Sequence, residues 1–538
     1  MISVSNAWET AQTQTLLPEM FVEIVYTVTE PDLQNRAEVS ANYPEEFSDV
    51  EQLLDLTNKK GEAYGVLDYG CWGLDGSFGY FDGTPVDPGY VDKNYSTGDG
   101  SINVTPYPTI VLNFAERQKV VIPGLIITWN EVFGGWATDF RITVSNAGGI
   151  QARETVRGNT DVRSTIILDM VDYSKITIEI LKWSHPHQRI RCMGVQLGIE
   201  KVYTKDDLIG FEHTQSVDLL SATLPQSSIK FELRNDDARW NPDNPEGFEK
   251  YLMEQQEVKV RYGMDIAGTT EWIDGGVFWL SEWETPANGL EVVFTARDTF
   301  DLMTGAYTGT FTGSLYDIAI AAFNEAELPA LSDGSSRYFV DESLKNITVE
   351  LTRDDKEYVI SEILQMVAHA GCCVLYQDRK GVIRIEPWNR TYTDYKIEPG
   401  VSYSHPEYTI NKPLKAVSVG YGVNDERLII DVNDKGEVQT IDNPFICTAA
   451  DARRVGETAK DLLKNRKVIS GDFRADLRMD ALDVVLVASK YAANAIGVTD
   501  VTYSTTGGSF KAKYTGRVIS IDLEPAKYYV GELISGEV

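Results

Sequence analysis

The sequence predicts a mainly β chain with minor α+β content: two β-barrels, a β-sandwich inserted into the first, and a mixed α/β region between them. Three observations carry this. Gly, Tyr and Trp are plentiful (43, 27 and 10 of 538 residues) while long heptads are absent, a composition that favours strands and turns. Short runs alternate apolar and polar residues with period two, the mark of half-buried antiparallel strands. The length suits roughly three to five domains, each large enough to bury a core.

Residues 1–45 offer a short capped helix and then the strand Phe21–Val28. A helix is expected over about Phe47–Leu56, with Ser48 as its cap. Gly- and Asp-rich loops between Gly70 and Gly100 lead into at least six short strands: Ile110–Phe114, Leu125–Trp129, Phe140–Val144, Gln151–Val156, Ser164–Leu168 and Ile176–Ile180. Short strands with regular turn signals predict a sandwich over residues 46–202. The first barrel, 1–45 plus 203–305, resumes at Tyr203–Ile209. Ile229–Leu233 and Val258–Tyr262 alternate cleanly, and the Asn/Asp/Pro-rich loop Arg234–Gly247 between them should bury Trp240. Aromatic strands Val277–Leu280 and Leu290–Phe294 follow.

The mixed region, 306–411, carries two amphipathic helices: Ser314–Ala326, with Ser314 as cap, and Tyr358–Ala368, with Ile360, Ile363, Leu364 and Val367 on one face. The turn Asp378–Gly381 separates strands Cys373–Tyr376 and Val382–Ile385. A last sheet, 412–538, opens with Val417–Tyr421 and is interrupted by a helix over 449–467, capped by Thr448. Asp483–Val487 and Val518–Leu523 complete it.

The loop with Asn235, Asp236, Trp240, Asn241 and Pro242, then a strand, an aromatic hairpin and an Arg297–Asp298 exit, resembles the tube-type barrel of phage tail hubs, the baseplate-hub or tail-associated family. The order helix, strand, Asp378–Gly381 turn, strand, and the helix preceding the Asp483–Val487 strand, are similar to the middle and second tube regions of the same family, a resemblance that makes 412–538 a second barrel. Pro108–Phe114, Gly124–Thr128, Gly158–Asn159 and Trp183–Gly198 resemble the galactose-binding jelly-roll domain that some tail proteins of Gram-positive phages carry as an insertion. The resemblance implies a structural virion protein at the tail tip, assembled in the host cytoplasm. It implies a homotrimer whose six barrels form a ring through which DNA passes. The implied partners are the tail tube or distal tail protein, the tape-measure protein, a central spike or fibre and a host surface glycan.

A net charge of −32 repels polyanions, which disfavours sequence-specific nucleic-acid binding. No run of apolar residues is long enough for a membrane-spanning helix, and Met1–Thr10 lacks the features of a secretory signal. Five scattered cysteines without a CxxC pair imply neither a disulfide framework nor a zinc site. His185 and His187, and the oxygen-rich set Asp236, Asp237, Asn241, Asp243 and Asn244, lack metal-site spacing and are read as loops, so neither metal nor cofactor is expected. His213, His369 and His405 lie apart, and no nucleophile elbow, zincin or phosphate-loop motif occurs. Family relatives with a wall-cleaving domain carry it after the hub, and this sequence ends at Val538 shortly after the last expected strand; no enzyme is expected. The candidate binding residues are aromatic: Trp129, Phe133, Trp136, Tyr173 and Trp183, in or near sandwich loops, could stack on sugar CH groups. A carbohydrate-binding adsorption protein is therefore the second function class and a cell-wall-degrading enzyme the third.

Overall fold

The computed structural model describes all residues except 15–16, 29–32, 55–64, 67, 72–78, 80–86, 131, 245–246, 249–250, 286–288, 330, 332–334, 351–356, 423–425, 490–491, 507–508 and 521–538. The chain is mainly β, with four α-helices among the described residues. Its centre is one sheet of 13 strands. In spatial order the main path runs Ile199–Tyr203, Met20–Val28, Glu257–Ile266, Thr269–Glu284, Glu291–Arg297, Gln226–Arg234, Leu208–Ser216, Ala493–Thr506, Ser509–Val518, Lys467–Arg474 and Glu407–Ile410. A branch adds Val484–Ala488 and Tyr392–Ile397.

The two segments expected as separate barrels thus share a sheet. They join where Leu208–Ser216 pairs antiparallel with Ala493–Thr506, from Gly210 opposite Thr506 to Ser216 opposite Asp500. One core also serves both, containing Ile24, Phe231 and Phe294 from one half and Ile469, Phe473 and Tyr503 from the other. Aromatic rings fill it: Phe231 stacks on Phe294 at 5.0 Å, and Trp240 meets Phe294 edge-on at 5.1 Å. The turn-rich loop does bury Trp240, because Asn235 accepts from its backbone N–H and folds the loop back over the sheet. Helix α1 (Asn6–Gln12) is capped by Ser5 and buries Trp8 in the shared core. Gln12 donates to Ala475 O and Arg474 donates to Gln12 O, so the first residues of the chain close over the second half.

The insert differs from its expected bounds. Ala37–Ala41 pairs with Thr109–Gln118 and so belongs to the sandwich, while Ile199–Tyr203 pairs with Met20–Val28 and belongs to the central sheet. Both short strands sit beside a change of sheet, where alternation is equally satisfied on either side. All six expected sandwich strands form, five of them extended; the one expected at Leu125–Trp129 runs Ile122–Thr128 and leaves Trp129 outside. They lie in a five-stranded and a three-stranded sheet that face one another over a common core. The helix expected at Phe47–Leu56 is a 3-10 turn, Val50–Leu54, and residues 55–56 lie outside the described part. Ser48 is not its cap: its hydroxyl donates to Gly89 O and accepts from Val91 N, tying the segment to a neighbouring strand.

The mixed region holds helices α2 (Leu315–Ala326) and α3 (Ile360–Gly371) against a three-stranded sheet of Tyr338–Val340, Ile383–Glu386 and Val374–Gln377. Ser314 and Asp317 form a reciprocal capping box on α2. Ser314→Ala is expected to lower stability by about 1 kcal/mol, read by chemical unfolding; an unchanged midpoint would show the cap to be idle. The four apolar residues expected on one face of α3 are all buried.

The boundary at 412 also shifts. Tyr392–Ile397 and Glu407–Ile410 join the central sheet, whereas the small sheet of Leu414–Tyr421, Glu426–Asp431 and Glu437–Ile441 packs with the mixed region. Helix α4 (Ala449–Leu463), capped by Thr448, buries Ala452, Val455 and Ala459 in that same core; it stops short of the expected 467 because Lys467 already begins a strand of the central sheet. The strand expected over Val518–Leu523 is not formed in its described part: the last described strand is Ser509–Val518, residues 519–520 lie outside any strand, and residues 521–523 lie outside the described part.

Candidate functional site

Three parts of the chain meet around Arg379. The turn Asp378–Gly381 carries this arginine out of the mixed region and into the seam between the two sheet halves. Its Nε donates to both carboxylate oxygens of Asp480 at 2.8 and 3.0 Å. Its Nη1 reaches Asp274 O in the first half (3.1 Å), and its Nη2 reaches Met479 O in the second (3.1 Å). The guanidinium lies 5.7 Å from the Tyr262 ring centre. Burial works against its charge, but Asp480, Tyr503 and Tyr262 outweigh burial and raise its pKa.

Behind it, His213 Nδ1 lies 2.6 Å from the Tyr262 hydroxyl, and Tyr503 donates to Asp476 O and Met479 O. Burial, helped by nearby Arg379, pushes the His213 pKa down to about 3. His213 is therefore neutral and sealed, a brace rather than a base exchanging protons with solvent. A cavity of about 340 Å³ opens beside this knot, lined among others by Met1, Ser227, Asp298, Trp388 and Asp483. The Met1 ammonium pairs with Asp483 there. The knot can hold two sheet halves and the mixed region in fixed relation.

The central sheet leaves outer strands unpaired. Among the described residues nothing pairs with the outer side of Ile199–Tyr203 or of Glu407–Ile410. Tyr408 lies opposite the fully buried Ile469 and so shares the core face, yet it is 44% exposed, and Ile410 is 51% exposed. The apolar face of the sheet therefore runs on past the point where this chain covers it.

The aromatic residues proposed for sugar contact divide. Trp129, Tyr173 and Trp183 are fully buried: Trp129 donates to Ser164 Oγ and meets Trp183 edge-on at 6.1 Å, and Tyr173 meets Phe114 at 5.4 Å. They fill the sandwich and offer no ring face outward. Phe133 and Trp136 stay half-buried, Phe133 under the Arg191 guanidinium and Trp136 against His185. Two tyrosines not singled out from sequence are more exposed in the same insert. Tyr69 is 68% and Tyr95 42% exposed, and both flank the segment 187–189: Tyr69 N–H donates to His187 O, and Arg189 stacks on Tyr95 at 5.0 Å.

His185 Nδ1 is engaged by Ser184 Oγ (2.8 Å). In the Asn/Asp loop, Asp237 pairs with Arg239 and Asn241 caps Asp243 N, so these oxygens serve turns. Among the described residues no three His, Cys, Asp or Glu side chains converge as a metal site, and no helix is long and apolar enough to cross a membrane. All five cysteines are free; burial pushes the Cys192 and Cys373 thiols up to about 12.

No protein-family model matches the chain, and no curated protein matches it. Solved structures do. The 43 kDa tail protein of prophage MuSo2 from Shewanella oneidensis aligns at 13% identity and TM-score 0.41, covering 59% of this chain and 94% of that one. The tail protein from Neisseria meningitidis MC58 aligns at 9% identity and TM-score 0.42, covering 60% and 94%. Prophage tail protein gp18 from Listeria monocytogenes EGD-e aligns at 10% identity and TM-score 0.40, covering 59% and 91%.

Proposed function

We propose that this chain is a structural hub of a phage or phage-derived tail tip, three copies of which close into a ring between the tail tube and a distal spike or fibre, leaving a passage for DNA. The observation that carries the proposal is the central sheet. Two remote segments build one sheet with a shared apolar core, and its end strands carry exposed apolar side chains, Val202 on one and Tyr408 and Ile410 on the other, as an element completed by neighbouring copies requires. The Arg379 knot fixes the halves relative to each other, which a ring of repeated half-units demands. The chain does no chemistry in this role; tail tube, tape-measure protein and spike are its partners.

Sedimentation of the purified chain, alone and mixed with isolated tail tubes, is expected to find three copies together. Asn411 N–H bonds back to Arg466 O, so by alternation the Ile410 N–H points away from the Lys467–Arg474 strand. Ile410→Pro should then block strand addition there, giving monomers that keep the wild-type far-ultraviolet circular dichroism spectrum but melt at a temperature independent of concentration. Wild-type chains that remain single in both conditions would sink the ring.

A second reading, sugar contact by the insert, is favoured by Tyr69 and Tyr95 standing exposed beside the 187–189 segment of the insert. Replacing Tyr69 and Tyr95 together with alanine is expected to weaken adsorption to host wall polysaccharide roughly tenfold, the loss of about one stacking contact. Undiminished adsorption in that variant and in Trp136→Ala would count against the insert as the contact.

A further inference from the structure

We infer that the outer edge of the Glu437–Ile441 strand is a docking site for an extended, lysine-bearing segment of another protein, added as a further strand with one side chain in the cavity beside His369. The inference goes beyond the hub reading and does not rest on it, since this strand belongs to the small sheet away from the central one.

Glu437–Ile441 runs parallel to Leu414–Tyr421 and has no partner on its other side among the described residues. Glu437 N–H bonds to Pro413 O, so by alternation Val438 and Thr440 turn their backbone N–H and C=O groups outward. The Gln439 side chain resting on Thr440 O agrees with this. Val438 and Ile429 stand exposed on the adjoining face. Such an edge is what an added strand pairs with.

At the strand's end lies a cavity of about 200 Å³, walled by Leu220, Met366 and Ile441 and by the polar groups of Gln365, His369 and Thr440. Asn443 Nδ2 donates to Met366 O and fixes the strand's exit against α3. His369, in the last turn of α3, is more than nine-tenths buried, and its Nε2 has no hydrogen-bond partner. Gln365 already commits its nitrogen to Ser221 O and Ala222 O, which leaves its oxygen to accept. Burial holds the imidazole pKa below its usual value, with Asp218 opposing, so the ring is neutral near pH 7 and accepts at Nε2 in the Nδ1–H tautomer. Acceptors grouped over an apolar wall suit an ammonium on an aliphatic stem. The surround agrees: Glu426, Asp431 and Asp434 are exposed carboxylates against Lys435 in the same stretch, while Glu437 is paired with Lys412 and Asp442 with Arg427.

The probe is the blocked peptide Val-Lys-Val-Lys-Val, with Val-Glu-Val-Glu-Val as its counterpart, read by amide hydrogen exchange on the full chain. The lysine peptide at millimolar concentration is expected to slow exchange at Val438 and Thr440 about tenfold, and the glutamate peptide to leave it unchanged. Thr440→Pro removes an outward donor and should abolish the slowing at Val438 without moving the melting temperature. His369→Leu should reduce the slowing severalfold while the fold holds. No slowing by the lysine peptide, equal slowing by both peptides, or slowing that survives either substitution would overturn the inference.

Discussion

Arg379→Ala is expected to destabilise the protein by about 2–4 kcal/mol, the cost of deleting a buried guanidinium and the hydrogen bonds it makes across the seam, while Asp480, about a quarter exposed, keeps its bond from Gln215 Nε2. Asp480 would lose the guanidinium at 2.8 Å, and Asp274 O and Met479 O would each lose a donor in the seam. The effect should be concerted. Because one arginine ties the mixed region to both halves of the central sheet, unfolding followed by fluorescence and by limited proteolysis of the 378–381 turn should move together. Arg379→Met with Asp480→Leu removes both charges and should recover part of the loss, since an apolar pair of similar volume is tolerated where a lone charge is not. A single substitution costing under about 1 kcal/mol, within the range of exposed ion pairs, would show that the knot is not what joins the parts.

Asp298→Asn is expected to reverse the order of stability between acid and neutral pH. Asp298 caps the short Thr299–Leu302 turn, accepting from Phe300 N, and also accepts from Ser227 N at 2.6 Å. Burial pushes its pKa up to about 7; the two backbone donors oppose this, Asp301 adds to it and Arg297 subtracts. An unfolded aspartate titrates near 3.9. A carboxyl with a raised folded pKa makes the folded state bind the extra proton, so its contribution is most favourable below the unfolded value and is lost as pH rises towards 7. The loss amounts to about 4 kcal/mol, constant above that pH. Asparagine carries no such penalty but supplies one acceptor oxygen in place of two, at a cost of about 1–2 kcal/mol. The variant should therefore be more stable by about 2 kcal/mol at pH 8 and less stable at pH 4. Wild-type and variant unfolding curves that run parallel from pH 4 to 8 would show that Asp298 does not titrate in this range.

What could be read from sequence was local. Alternation located the sandwich strands, and Ser314 and Thr448 marked helix starts because an N-cap acts within its own turn. What could not be read was which strand edges meet. Leu208–Ser216 finds its neighbour nearly 300 residues downstream through backbone groups that every residue carries, and no side-chain pattern encodes that choice. The same gap moved Ala37–Ala41 and Ile199–Tyr203 across a boundary. Among the aromatic residues, proximity to loops misled. Trp183 closes the sandwich because Gly135 lets its ring come within 2.7 Å of where a Cβ would stand, a contact made across the fold. Tyr69 and Tyr95 were missed because their prominence depends on the 187–189 segment, far away in the chain.

The pairing of Leu208–Ser216 with Ala493–Thr506 also sets a schedule for synthesis. Thr214 and Thr502, facing each other across that ladder, are 288 residues apart, so the earlier strand waits roughly 15 to 60 s on the ribosome before its neighbour emerges. Through that interval the nascent first half presents a bare ladder of amides to every other nascent copy. Folding yield should accordingly depend on chaperone supply and on the spacing of ribosomes along the message.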